Sequence, residues 1–362
     1  MPPKKPKRRV FPVTTFVTDL PESLVPKPQP TLSKTAAPEP KRLIIVGDVH
    51  GMKEALEKLL DDVKFDRDNG DHLILVGDVV NKGTDNPGVV DLAIKLQASA
   101  VRGNHDNAVL DAAAETRFKN GKWTEATGQN PVKERCLEDA TQPTDSQETR
   151  PVRPPTPEAE PHSSVTVSTA ASLSVPQLEW LASLPLILRV NVPGHGASPP
   201  TKLVVVHAGL VPGVPLEEQD EHAVMHLRSL ERSGSHSGAL LPTQEDGEEG
   251  WAVTWEQAQE QLPECERTMV VFGHDARRKL QERKYSIGLD TGCVYGNQLS
   301  ALVVSVTEQR LNYRIVQVES TKPGGQSVPE PRAGEEQLHQ IQAQESQEPE
   351  QLQEKLALPQ EK

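Results

Sequence analysis

The sequence is poor in aromatic residues and in cysteine. Aromatic residues make up 3% of the 362 positions and hydrophobic residues 35%, whereas there are 32 prolines. Such a composition cannot form a packed core along the whole chain, and it predicts a folded core with disordered segments. Three cysteines are too few for a disulfide-stapled secreted domain and favour a reducing compartment.

Long hydrophobic runs are also missing. No stretch approaches the ~18–20 apolar residues that a membrane-spanning helix needs, and no signal-peptide core follows the charged N-terminus. Acids exceed bases to a net charge of −13, which argues against broad nucleic-acid binding, so we expect no DNA partner. These absences predict a soluble, cytoplasmic protein, although the basic cluster at residues 4–9 leaves a nuclear address open.

Irregular segments flank and interrupt the predicted core, which we place at residues 42–318. Residues 1–41 are basic and rich in proline, and they predict a disordered arm. Residues 319–362 are rich in Gln and Glu and predict a disordered tail. Inside the core, the composition predicts a disordered insertion at about 139–166 and an acidic loop at about 234–250.

Short apolar runs alternate with helix-like stretches inside the core region. Leu-Ile-Ile-Val at 43–46, Leu-Ile-Leu-Val at 73–76 and Leu-Val-Val-Val at 203–206 are typical of buried strands. Helix-like patterns follow the first two. Strands that alternate with helices predict an α/β core whose sheets are covered on both sides. The last predicted strands have no helices between them, which adds an antiparallel edge or a second sheet.

Five of the predicted strands end in a motif that carries a carboxylate, an amide or an imidazole beside a glycine. The motifs are Gly-Asp-Val-His-Gly at 47–51, Gly-Asp-Val-Val-Asn-Lys-Gly at 77–83, Gly-Asn-His-Asp at 103–106, His-Ala-Gly at 207–209 and Gly-His-Asp at 273–275. Ligands of open α/β sheets bind beyond the carboxyl ends of the strands. We therefore expect these side chains to share one rim of the fold.

Carboxylate, amide and imidazole without thiolate suit hard or borderline divalent cations. Six such groups make two sites that share one bridging carboxylate. The predicted ligands are Asp48 and His50 for the first ion, Asp78 for both ions, and Asn104, His207 and His274 for the second. Zn, Mn and Co are all compatible with this set, and the sequence does not choose among them.

Together, the five motifs resemble those of the phosphoprotein-phosphatase branch of the metallophosphoesterases. Asn-Lys-Gly at 81–83 and Leu-Asp-Thr-Gly-Cys-Val-Tyr-Gly at 289–296 resemble the ApaH-like phosphatases, relatives of the bacterial symmetrical diadenosine tetraphosphatase. The segments 207–213 and 225–230 are similar to the fungal zinc-dependent endopolyphosphatases. The resemblance implies a calcineurin-like four-layer αββα sandwich with two mixed sheets and a dinuclear-metal hydrolase.

The resemblance also implies roles for residues beside the ligands. His105 would be the general acid for the leaving oxygen, and Asn81 occupies the position of an aspartate that orients this histidine in protein phosphatases. An amide cannot stabilise imidazolium by charge, which favours an anhydride substrate, whose phosphate leaving group needs less protonation. Lys82, Arg102 and Arg228 would bind phosphate oxygens.

The leading hypothesis is an endopolyphosphatase that cleaves inorganic polyphosphate internally through attack by a metal-bridging hydroxide. Alternatives are a symmetrical diadenosine tetraphosphatase, a nucleotide or cap phosphoanhydride hydrolase, and a protein Ser/Thr phosphatase. A non-enzymatic scaffold on a phosphatase fold is a further alternative, against which the complete ligand set argues. The fungal relatives are vacuolar and membrane-anchored, but no anchor is recognisable here. No oligomeric state is predicted.

Overall fold

The strands and helices below belong to a computed structural model that describes residues 11–27, 41–126, 162–192, 202–232, 239–307 and 310–323. The strands are β1 Val17–Asp19, β2 Leu43–Val46, β3 His72–Leu75, β4 Ser99–Ala100, β5 Phe118–Lys119, β6 Lys122–Trp123, β7 Ile187–Asn191, β8 Lys202–Val206, β9 Ser229–Arg232, β10 Leu240–Thr243, β11 Thr268–Phe272, β12 Gln281–Glu282, β13 Ser286–Gly288, β14 Gln298–Thr307 and β15 Arg310–Glu319. The α-helices are α1 Lys53–Asp62, α2 Asn86–Lys95, α3 Asn104–Arg117, α4 Ser164–Ser172, α5 Val175–Ser183, α6 Glu221–His226 and α7 Trp251–Glu260.

Two mixed sheets carry most of these strands. One has five strands in the order β15-β14-β2-β3-β4, and the other has six in the order β1-β7-β8-β11-β13-β12. Strands β2, β3 and β4 are parallel, with Val46 opposite Leu75 and Leu75 opposite Ala100. Strand β8 is parallel to β11. Because parallel neighbours end at the same edge, the polar motifs that follow them meet there.

Alternation along the strands shows how the layers are stacked. In β2, Ile44 and Val46 pack in one apolar core with residues of α1, α2 and α3. Leu43 and Ile45 point the other way, into a core shared with Val205 of the second sheet. The opposite face of that second sheet packs against Trp251 and Trp255 of α7 in a third core. The order helix, sheet, sheet, helix confirms the predicted four-layer fold.

The N-terminal segment differs from the prediction, which placed residues 1–41 in a disordered arm. Strand β1 pairs in parallel with β7 at the edge of the six-stranded sheet. Phe11 is buried, and its ring centroid lies 5.2 Å from that of Phe118 and 5.0 Å from that of Trp123. The prediction is therefore wrong over residues 11–27. The apolar residues of this segment are isolated and show neither a helical nor a strand periodicity, so only tertiary contacts reveal that they are buried.

Other predicted segments lie wholly or partly outside the described residues. The predicted insertion at 139–166 lies outside them as far as residue 161, but α4 already begins at Ser164. In the predicted acidic loop at 234–250, strand β10 forms an antiparallel hairpin with β9, so part of that loop is regular structure. The basic cluster at 4–9 and the tail beyond residue 323 are outside the described residues. None of the described helices has the length and hydrophobicity to cross a membrane.

Candidate metal centre

The loops after β2, β3, β8 and β11, together with the first turn of α3, bring the six predicted ligands together. Backbone strain is concentrated in these loops. Among the described non-glycine residues with positive φ are His50 at 49°, Asp78 at 47° and His274 at 67°, together with Asn81 at 84° and Lys82 at 70°. Left-handed conformations are costly for residues with a Cβ and cluster at functional sites. Here they aim polar side chains at a common point.

The first group of donors consists of Asp48, His50 and Asp78. His50 Nε2 lies 3.4 Å from Asp78 Oδ2 and 4.0 Å from Asp48 Oδ2. His50 Nδ1 lies 3.3 Å from the carbonyl oxygen of Val80. Because a carbonyl can only accept, Nδ1 carries the ring proton and Nε2 presents a bare lone pair to the two carboxylates.

The second group uses the other oxygen of Asp78. His207 Nε2 lies 3.4 Å from Asp78 Oδ1 and 3.0 Å from Asn104 Oδ1. His274 Nδ1 lies 3.1 Å from the same amide oxygen. His207 Nδ1 donates to Val76 O at 3.1 Å, so its Nε2 is again a bare lone pair. The two oxygens of Asp78 therefore face different groups, as a bridging carboxylate requires.

The electrostatics of the cluster fit two divalent cations. Burial raises the pKa of Asp48, and the nearby carboxylates of Asp290 and Asp78 raise it further. Burial lowers the pKa of His207 to about 3 and also lowers the pKa of His50. The bare lone pairs of His50 Nε2 and His207 Nε2 thus face carboxylate or amide oxygens at 3.0 to 3.4 Å, with no hydrogen between them. A cation at each group would relieve this repulsion, because positive charge opposes the raised pKa of Asp48 and favours the neutral form of both histidines.

His105 and Asn81 form the predicted pair beside the cluster. Asn81 Nδ2 lies 3.0 Å from His105 Nδ1. The ring centroids of His105 and His50 are 5.0 Å apart, and the backbone N–H of His105 donates to Asp78 Oδ1 at 2.9 Å. Burial lowers the pKa of His105, opposed by the Asp78 carboxylate. The neutral imidazole is therefore its favoured form in this geometry.

Two of the three predicted phosphate-binding cations lie at this centre. Lys82 Nζ is 3.5 Å from His50 Nε2 and 3.4 Å from Tyr295 Oη. Arg228 Nη2 donates to the carbonyl oxygen of His274 at 3.4 Å, and Nη1 lies 3.0 Å from Asp246 Oδ1. Both side chains are only partly buried, so each can reach a bound anion.

Arg102 is placed differently from the prediction. Its side chain is fully buried. Its guanidinium donates to the carbonyl oxygens of Ala182 at 2.6 Å and Pro12 at 3.4 Å, and to Asn107 Oδ1 at 3.4 Å. Arg102 thus ties Pro12 of the N-terminal segment to Ala182 of α5, and these carbonyls supply acceptors that its buried guanidinium needs. In this structure it is not a phosphate-binding residue.

Several residues at the centre were missed by the sequence analysis. Asp290 hydrogen-bonds Asp48, and burial raises the pKa of Asp290 to about 6. Its place in the Leu-Asp-Thr-Gly motif at 289–292 was the available signal. Thr166, Thr169 and Asp246 contact Asn81 or Arg228. They lie in segments without a motif, so no local pattern could have identified them.

Stacked mixed sheets with this donor cluster at their strand ends define the class of metal-dependent phosphoesterases. A family model described as calcineurin-like phosphoesterase matches residues 41–278. The chain belongs to this family, and the prediction of a metal-dependent hydrolase is confirmed.

The proteins to which this chain is similar are named as members of the group that the motifs predict. The zinc-dependent endopolyphosphatase of Saccharomyces cerevisiae is 26% identical over 288 residues, which cover 77% of this chain and 81% of that protein. The symmetrical bis(5'-nucleosyl)-tetraphosphatase of Acidovorax sp. is 26% identical over 325 residues, covering 78% and 99%. A crystal structure provisionally named a diadenosine tetraphosphatase is 30% identical, with a TM-score of 0.55, and covers 84% of this chain and 98% of its own. These names confirm the resemblance to ApaH-like phosphatases.

Proposed function

We propose that this protein hydrolyses phosphoanhydride bonds and that it cleaves inorganic polyphosphate internally. The contact between Asn81 Nδ2 and His105 Nδ1, at 3.0 Å, carries the proposal. A carboxylate at this position would stabilise a charged imidazolium, whereas an amide does not. The leaving phosphate of an anhydride departs as an anion without full protonation, but a serine alkoxide does not. The site is therefore better suited to anhydrides than to phosphoserine.

The six donor residues would hold two divalent cations, for which Zn, Mn and Co are candidates. When bound, such ions supply positive charge to phosphate oxygens and lower the pKa of water. Lys82 and Arg228 would bind the oxygens of neighbouring phosphoryl groups, because each presents its charge beside a ligand histidine. His105 would donate a hydrogen bond to the oxygen that leaves.

Polyphosphate suits the charges that line the centre. Lys82 and Arg228 lie beside histidines of different donor groups, His50 and His274. A chain of phosphoryl groups that spans the two cations would engage both at once. The endopolyphosphatase name of the yeast relative gives the same substrate class.

A symmetrical dinucleoside tetraphosphate is the second candidate substrate. Tyr295 is 51% exposed, and Lys82 Nζ lies 5.6 Å from the centroid of its ring. An exposed aromatic ring beside the Lys82 ammonium group could stack on a base. The names of the bacterial relative and of the solved structure give this substrate class.

The decisive experiment treats metal-stripped protein with long-chain polyphosphate and Zn, Mn, Co or Mg in turn, and resolves chain lengths on a gel. An Asp78→Asn preparation detects contaminating activity. Internal cleavage shifts the whole ladder downwards in the parent protein alone. Unchanged polyphosphate with cleavage of diadenosine tetraphosphate, lost in Tyr295→Ala, would support the second candidate. Turnover of a phosphopeptide alone would overturn both.

A further inference from the structure

Helix α4 places two buried hydroxyl groups against Asn81, although the helix lies more than eighty residues further along the chain. Asn81 Nδ2 is 3.1 Å from Thr166 Oγ1, and Thr169 Oγ1 is 3.5 Å from Asn81 Oδ1. Thr166 and Thr169 are one helical turn apart and therefore share a face of α4. All three side chains are at least nine-tenths buried, so their hydrogen bonds form without competition from bulk water.

These contacts determine which way the amide of Asn81 points. The backbone N–H of Lys82 lies 3.1 Å from Asn81 Oδ1, and a backbone N–H can only donate. Oδ1 is thereby identified as the acceptor, and Nδ2 faces His105 Nδ1 and Thr166 Oγ1. Both hydrogens of the amide and both lone pairs of its oxygen are then used. A flipped amide would oppose its NH₂ group to the N–H of Lys82.

The amide orientation in turn decides the tautomer of His105. Because Asn81 Nδ2 donates, His105 Nδ1 must accept, and the ring proton of the neutral imidazole is on Nε2. An imidazolium would set a second N–H against the NH₂ group of Asn81. His105 lies at the centre, since one of its ring nitrogens is within 4.8 Å of a ligand atom of His50 and one of Asp78. It can therefore act as an uncharged hydrogen-bond donor there.

We propose that Thr166 and Thr169 are positioning residues that hold Asn81, and through it hold His105 as the Nε2–H tautomer. This arrangement makes the enzyme selective for leaving groups that depart as anions. The inference rests on the proposed function and extends it to residues of α4. It identifies the substrate class as phosphoanhydrides and activated esters rather than alkyl phosphomonoesters.

The reaction balances without a charged acid. One water oxygen forms a bond to phosphorus while the bond from phosphorus to the leaving oxygen breaks. The leaving phosphate keeps the bonding electron pair and accepts only a hydrogen bond from His105 Nε2–H. The proton lost by the water passes to solvent. An alkoxide would have to take a full proton, which this tautomer does not readily release.

The test compares variants on tripolyphosphate, on aryl phosphates of graded leaving-group pKa and on an alkyl phosphate. Thr166→Val keeps the side-chain shape but removes the acceptor for Asn81 Nδ2. We expect kcat on tripolyphosphate to fall about tenfold, the cost of one buried hydrogen bond, with KM unchanged. Thr166→Ser, which keeps the hydroxyl group, should retain the kcat of the parent protein. Ser172→Ala is the matched control, because Ser172 Oγ on the same helix donates to Thr169 O instead of Asn81.

Asn81→Asp should have the opposite effect on selectivity. It offers an acceptor to His105 Nδ1, so we expect alkyl phosphate hydrolysis to rise about tenfold relative to tripolyphosphate and the dependence on leaving-group pKa to flatten. Nitrogen NMR of ¹⁵N-histidine-labelled protein, assigned with His105→Gln, reports the tautomer without using activity. The parent should show Nε2 protonated and Nδ1 bare.

A parent resonance with the proton on Nδ1 would overturn the proposal, as would a Thr166→Val enzyme that matches the parent in kcat and in leaving-group dependence. The proposed function fails separately. If tripolyphosphate and polyphosphate are not cleaved while activated aryl phosphates are, the substrate assignment is wrong, and the tautomer measurement still decides the role of α4.

Discussion

Asp246 Oδ1 lies 3.0 Å from Arg228 Nη1, so a guanidinium expected to bind substrate already faces a carboxylate. The other oxygen of Asp246 is paired with Arg277. A phosphate that binds Arg228 must displace Asp246 or share its charge. The acidic loop between β10 and α7, which contains Asp246, therefore competes with an anionic substrate for this arginine.

We predict that Asp246→Asn lowers KM for tripolyphosphate about threefold and leaves kcat within twofold, because only the competing charge is removed. Initial rates at low and high salt measure this, and the difference should shrink as salt screens the carboxylate. Glu248→Gln, an exposed change in the same loop, is the matched control. A higher KM in Asp246→Asn would mean that Asp246 positions Arg228 for substrate.

Asp78→Asn should remove metal from both groups of donors. The carboxylate faces His50 on one side and His207 on the other, and an amide offers only one neutral acceptor. We expect metal content per chain to fall for both sites and kcat to fall about a thousandfold or more. Elemental analysis after dialysis measures the metal. The control Asp61→Asn, on the exposed side of α1, should retain its metal. If Asp78→Asn also retained its metal, Asp78 would be a structural residue and not a ligand.

Gly273→Ala should damage one metal site more than the other. A Cβ at Gly273 would lie 1.9 Å from Asp48 Oδ1 and 2.8 Å from Val76 Cγ2, which is closer than any real contact. Asp48 has to move, while His207 and Asn104 are not in that path. We expect about half of the bound metal to be lost and the circular dichroism spectrum to be kept. Full metal content would show that the loop shifts instead.

Protonation of His72 should make stability depend on pH. Burial, together with Arg67, lowers the pKa of His72 to about 4, and His72 Nε2 lies 2.9 Å from Ser99 Oγ. The unfolded chain, with a pKa near 6.5, binds this proton first. The contribution of neutral His72 to the free energy of unfolding is therefore fully present above pH 6.5. It is lost progressively as the pH falls from 6.5 to about 4, and below that pH no further loss occurs.

At pH 5 the protonation of His72 lowers the free energy of unfolding by about 2 kcal/mol relative to pH 7. Urea unfolding of the parent and of His72→Gln at the two values measures it. The variant should lose less stability than the parent between pH 7 and pH 5. Equal losses would mean that other groups account for the whole pH dependence.

The ligand set could be predicted because each motif is local. A short apolar run predicts a buried strand, and a Gly-Asp or Gly-His after it predicts a polar group at a strand end, as found for Asp48 and His274. Parallel pairing then brings these ends to one edge. The sequence therefore determined the α/β class, the six candidate donors and the Asn81–His105 pair.

Tertiary structure decided what no local pattern encodes. Arg102 follows a strand as the ligands do, yet its guanidinium turns towards Pro12 and Ala182, whose carbonyls it satisfies. Thr166 approaches Asn81 from 85 positions away. Such contacts depend on how layers pack and on which buried polar groups still need a partner. The sequence thus specified the chemistry at the strand ends, and the fold determined which neighbours orient it.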